Sequence, residues 1–158
     1  MANKRGDGME LPAAGLDRFR EWERANPQGF SKWAYLRNEV SAENAVLLMT
    51  FLWPCFVEHD GMVLLGENFR VSRYEAWRRN PASKPPEFGA LVNHVHLEDF
   101  FSDEQTPPYE LLVYLGQSVR DMWESRLARD FPDRAFEVRF DFSQAEGEYV
   151  LSFAERTS

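Results

Sequence analysis

The 158 residues carry 26 acidic against 18 basic side chains, a net charge of −8, with 44% apolar and 15% aromatic residues. That length matches one domain, and thirteen Phe, five Trp and five Tyr supply a core that needs no disulfide or metal to hold it. The acidity argues against a protein that binds nucleic acid through a generally basic surface, because phosphate neutralisation carries most of that affinity; the single cysteine excludes an intramolecular disulfide.

Residues 1 to 12 mix Gly6, Gly8 and Pro12 with charges and have no period, which reads as a flexible N-terminal tail ahead of one globular domain over 13–158. Lys4 and Arg5 have no apolar stretch behind them, so this start does not resemble a secretory signal. The longest apolar stretch, Val46 to Val57, is interrupted by Thr50 and Pro54 and is too short to cross a bilayer. A cytoplasmic protein without membrane contact is the expectation.

Leu16, Phe19 and Trp22 recur at helical spacing until Asn26-Pro27, where the proline restricts its neighbour and stops the helix. A short second helix is predicted from Ser31 to Asn38, with Trp33, Leu36 and Val40 on one side. Ser41 then suits an N-cap and Glu43 a first turn, opening a helix to Trp53 that is apolar nearly all round. Such a pattern predicts an element buried on most sides, here the central core helix. Beyond Pro54, Phe56 to His59 and Met62 to Leu65 flank Asp60-Gly61, a strong hairpin signal. A two-residue turn sets His59 opposite Met62, Glu58 opposite Val63 and Val57 opposite Leu64.

Ser72 to Asn80 is predicted helical, with Tyr74, Trp77 and Phe69 turned inward. Pro86 suits the first turn of another helix, whose stripe of Phe88, Leu91, Val92 and Val95 runs on with a break to Phe101. Pro108 opens the longest helix, reaching about Asp130, in which Leu111, Leu112, Leu115, Val119, Met122, Trp123 and Leu127 repeat every three or four residues. Gly116 within it points to close approach by another element. Phe136, Val138, Phe140 and Phe142 then alternate with charges as in a half-buried strand, and Tyr149 to Phe153 returns after Gly147. The expected fold is α+β: an antiparallel sheet built from two hairpins, about 55–66 and 135–154, with helices packed mainly on one face.

Several residues invite chemistry. His94 and His96, with His59 brought in from the hairpin tip, form the candidate metal site, yet on a helix residues two apart diverge and would not share an ion. Cys55 and His59 are too far apart along one strand to act as nucleophile and base, and a buried, inert thiol is expected. No phosphate-binding glycine loop, nucleophile elbow or Cys-x-x-Cys pair is present, so no catalytic residue and no cofactor is assigned and the protein is expected not to be an enzyme.

Charge distribution is more informative. Pro85 to Val119 contains no Lys or Arg but six acids, Glu87, Glu98, Asp99, Asp103, Glu104 and Glu110; Asn38 to Phe69 likewise lacks basic residues and carries five acids. Arg70, Arg73, Arg78, Arg79 and Lys84 make a local basic patch, and no nucleic-acid binding is expected except through Arg73, Arg78 and Arg79. The leading expectation is a small partner-binding protein, immunity-like, antitoxin-like or an accessory subunit. It covers a basic protein partner with Glu98, Asp99, Asp103 and Glu104, anchored by Phe100 and Phe101. The alternative is a metal-binding protein or enzyme using His94, His96 and His59.

Overall fold

The computed structural model describes residues 11–12, 14–28, 31–82, 84–101 and 107–156. The chain begins with helices α1 (Asp17–Ala25), α2 (Lys32–Glu39) and α3 (Ala42–Leu52), then strands β1 (Phe56–His59) and β2 (Met62–Leu65). Helices α4 (Val71–Arg78) and α5 (Pro85–Val92) precede strand β3 (His94–His96), which runs into a 3-10 turn at Leu97–Phe100. The long helix α6 (Tyr109–Asp130) and strands β4 (Phe136–Ser143) and β5 (Glu148–Glu155) complete it. The expected flexible tail lies, apart from Leu11 and Pro12, outside the described residues.

Local chemistry sets most of these boundaries. The Ser31 and Ser41 hydroxyls accept from the backbone N–H groups of Ala34 and Asn44, each at 3.0 Å, satisfying donors that a helix start leaves unpaired. Asp60 and Gly61 adopt φ of 47° and 76°, the left-handed pair that a two-residue turn needs to match strand twist. The hairpin therefore has the expected register, Val57 opposite Leu64 and His59 opposite Met62. Helix α4 clamps this turn: the Tyr74 hydroxyl donates to Asp60 at 2.8 Å and Arg78 donates to the same oxygen at 2.7 Å. The hydrogen bond to Asp60, followed by burial, raises the Tyr74 pKa above its ordinary value.

Both expected hairpins form within an α+β fold, but where one continuous sheet was predicted they lie in two. The strands β1 and β2 form a two-stranded sheet, and β4 and β5 belong to a three-stranded one ordered β3-β5-β4. Strand β3 replaces the continuation of the helix predicted across 93–96; His94, Val95 and His96 pair with Ser152, Leu151 and Val150. A three-residue strand has almost no pattern of its own, and a partner more than fifty positions away decides its state.

Buried Asn93 stitches the two sheets together. Its Oδ1 accepts from Leu65 N–H and its Nδ2 donates to the Val63 carbonyl, both at 3.0 Å, so the side-chain amide does for β2 what a neighbouring strand would do. Strand β2 is consequently buried on both faces. Val63 and Leu65 enter the main core around Trp123, Leu127, Leu151 and Phe153, while Leu64 enters a second cluster with Tyr74, Phe88 and Val92.

Helix α6 crosses β4 and β5, burying Leu112, Val119, Trp123 and Leu127. Gly116 faces the Phe140 ring so closely that an added Cβ would sit 2.2 Å from it, which explains the glycine in mid-helix. Gly116→Ala should therefore lower stability by about 1–3 kcal/mol, outweighing the roughly 1 kcal/mol that alanine gains in helix propensity. Chemical denaturation of the two proteins measures this difference.

Arg134 latches the hairpin tip to the end of β5. It donates to both Glu155 carboxylate oxygens and to the Gly61 carbonyl at 2.7 Å, with Glu58 at 3.7 Å. The Arg134 hydrogen bond lowers the Glu155 pKa below its ordinary value. A lowered folded pKa gives stability that is complete above the unfolded pKa and is lost as pH falls through the folded one. The destabilisation caused by Arg134→Ala, about 1 kcal/mol after allowing for the partial exposure of Glu155, should hold at neutral pH. It should shrink as pH falls below the ordinary glutamate range, and urea midpoints at pH 7 and pH 3 test it.

Candidate partner-binding surface

Among the described residues, none before Phe51 is buried. Helices α1 and α2 hold each other through Tyr35, whose ring lies 5.3 Å from Phe19 and 5.9 Å from Trp22, and through the 3.0 Å ion pair Arg18–Glu39. They leave a cleft of about 480 Å³ lined by Leu16, Phe19, Tyr35, Leu36, Arg18 and Lys32, which no sequence pattern announced. Trp33 on α2 stands 80% exposed.

The expectation that α3 is the central core helix is overturned. Val46, Leu47, Leu48 and Met49 are 66%, 60%, 48% and 51% exposed, and the helix reaches the body of the protein through Phe51 and Leu52 at its last turn. Phe51 is fixed there by the Trp123 indole, which donates to its carbonyl at 2.9 Å. An all-round apolar pattern shows that a helix has no water-preferring face; it does not show that this same chain covers it. Helix α6 occupies the centre instead. Cys55, expected buried, is exposed, because the chain leaves the core at the turn between α3 and β1.

Phe100, in the 3-10 turn, stacks on Phe51 with ring centroids 4.2 Å apart, so the turn adjoins the end of α3. Leu97 is fully buried and anchors the turn, while Asp99, Phe100 and Phe101 are exposed and Glu98 is half-buried. Phe100 is 49% and Phe101 38% exposed, unusual for side chains of that size beside two acids. Tyr149 is buried behind this region; burial, then the neighbouring Tyr109, Glu98 and Glu110, raises its pKa above the ordinary value. Asp103 and Glu104 lie outside the described residues.

His94 and His96, now on a strand, share a side, with rings 5.5 Å apart. His94 Nδ1 lies 3.0 Å from the Ala90 carbonyl and His96 Nδ1 3.3 Å from Glu98. His59 is elsewhere, packed between Phe69 at 4.9 Å and Tyr74 at 4.6 Å. Among the described residues no three His, Cys, Asp or Glu side chains converge to hold a metal ion. In the basic patch, Arg78 is paired with Asp60 and Arg70 donates to the backbone carbonyls of Glu67 and Phe69, while Arg73 and Arg79 are exposed.

No family model, curated protein or solved structure matches this chain. What the surface does must be read from its own chemistry. Among the described residues no helix is long and apolar enough to cross a membrane.

Proposed function

We propose that this is a small partner-binding protein, of the immunity, antitoxin or accessory-subunit kind, that engages a basic protein partner through the 3-10 turn Leu97–Phe100 and its surroundings. The observation that carries this reading is the exposure of Phe100 and Phe101 beside Glu98 and Asp99. Exposed aromatic rings bury large area at low conformational cost, and acids beside them select a basic counterpart and speed encounter. Burial of Leu97 and the stacking of Phe100 on Phe51 hold the turn in place before binding, which reduces the ordering cost of association.

The test is purification of the tagged protein from its host at near-physiological salt, with mass spectrometry of what elutes at comparable stoichiometry. Glu98→Lys with Asp99→Lys should abolish recovery of a single basic protein while leaving the thermal midpoint within a few degrees. Recovery of that protein unchanged by the reversal removes the acidic-face reading. A second reading, metal binding or catalysis at His94 and His96, is favoured by their paired rings and by Glu98 beside His96. Stoichiometric zinc, iron or manganese in the purified protein, lost in His94→Ala with His96→Ala, would support it.

A further inference from the structure

The chain closes two of its sheet edges with side-chain amides and leaves a longer one open. Asn93 occupies the outer edge of β2, and the Asn68 amide donates to the His94 carbonyl at 2.9 Å on the outer edge of β3. Strand β4 forms the opposite edge of the three-stranded sheet and runs for eight residues with no bulge or proline. The Arg156 N–H donates to the Ala135 carbonyl at 2.8 Å, which fixes the alternation of this antiparallel pair. Glu137, Arg139 and Asp141 therefore turn their backbone groups toward β5, and Phe136, Val138, Phe140 and Phe142 turn theirs away from it. Among the described residues these outward N–H and C=O groups have no hydrogen-bond partner, and an unpaired row of this kind is a template for another strand.

We infer that the β4 edge takes up an extended segment of another protein as an added antiparallel strand, with a basic residue opposite Asp141 and apolar residues opposite Phe140 and Phe142. The side chains along the edge set that pattern. Glu137 and Arg139 pair with each other at 2.7 Å, whereas Asp141, exposed on the same face of the sheet, forms no ion pair among the described residues. On the outer side of β4 its position is a non-hydrogen-bonded one, where opposed side chains come closest, so a Lys or Arg there meets its carboxylate directly. On the other face Phe142 is 43% exposed and stacks on Phe140 with ring centroids 5.3 Å apart, an apolar step that apolar neighbours would cover.

A second copy of this chain does not fit the edge. Helix α6 lies along β4, with Tyr109 beside Phe142, Gly116 against Phe140 and, just past its end, Phe131 beside Phe136. Two β4 strands side by side would set two such helices about 5 Å apart, where packed helices need about 8–10 Å. A segment with no helix above it meets no such obstacle.

A short capped peptide alternating valine with lysine, titrated into the isotope-labelled full chain and followed by NMR and amide hydrogen exchange, tests the inference. In the free protein the amides of Val138, Phe140 and Phe142 should exchange faster than those of Arg139 and Asp141, and saturating peptide should slow them at least tenfold. Asp141→Lys should weaken the peptide about fivefold. Phe142→Pro, which removes one outward N–H where a free edge tolerates proline, should weaken it about tenfold, with circular dichroism unchanged in both variants. No binding at millimolar peptide, binding that leaves the outward amides fast, or binding indifferent to Asp141→Lys would overturn the inference. So would outward amides already slow in the free protein, or slowed by raising its own concentration, the sign of a second copy at the edge. The acidic turn follows β3, across the sheet from this edge, so Glu98→Lys with Asp99→Lys should leave peptide binding unchanged and the two surfaces are read separately.

Discussion

Trp123→Ala should cost about 3–5 kcal/mol, the range for removing a large aromatic side chain from a closed core. Trp123 is 1% exposed and its ring meets Phe51, Phe56 and Phe153 edge-on, at centroid distances of 6.5, 5.9 and 6.2 Å. It therefore joins α6 to the end of α3, to β1 and to β5 at once. Its indole N–H is also the partner of the Phe51 carbonyl. Trp123→Phe separates the two contributions, keeping most of the packing while leaving that carbonyl without its donor, and should cost about 1–3 kcal/mol. Urea denaturation followed by far-ultraviolet dichroism gives both values. A Trp123→Ala loss under 1 kcal/mol would mean that the core does not close around this ring.

Asn93→Ala should cost about 2–4 kcal/mol although it removes only a small side chain. The loss comes from two buried backbone groups of β2, the Leu65 N–H and the Val63 carbonyl, that lose their partner together. Asn93→Asp should be comparably damaging, because a carboxylate accepts from Leu65 but cannot donate to Val63. Hydrogen exchange locates the effect: the Leu65 amide should exchange much faster in Asn93→Ala, while amides in the middle of α6 change only with global stability. Equal acceleration at both places would show that Asn93 acts on the whole core rather than on the junction between the sheets.

Elements with a strong local pattern were legible in the sequence. The Asp60-Gly61 turn set both the hairpin and its register, the three-and-four repeat from Leu112 to Leu127 set α6, and the alternation from Phe136 to Phe142 set β4. What was not legible depends on partners distant in the chain. Strand β3 exists because β5 pairs with it, and Asn93 links the two sheets through bonds to Leu65 and Val63, far from it in the chain. Helix α3 shows a different limit. Its apolar residues specify a dry environment without saying whether this chain or another molecule provides it, and here the fold leaves most of the helix uncovered.

The same division runs through the candidate surface. Glu98, Asp99, Phe100 and Phe101 form an aromatic-acidic run in the sequence, and the run lies largely on the surface. That Glu110, twelve positions beyond Glu98, acts on the same phenol, Tyr149, is a tertiary fact. The pairing of Phe100 with Phe51 is another, and it puts the acidic turn beside the apolar helix.

Whether the acidic, aromatic turn binds a basic protein is decided by a titration. The partner recovered from the host would be titrated against the wild type and against Glu98→Lys with Asp99→Lys. The expected result is an affinity lower by about tenfold to a hundredfold in the reversed protein, with a slower association rate and a weaker salt dependence, as follows when opposite charges that steer encounter are replaced by like ones. Equal affinity and equal salt dependence for the two proteins would contradict it.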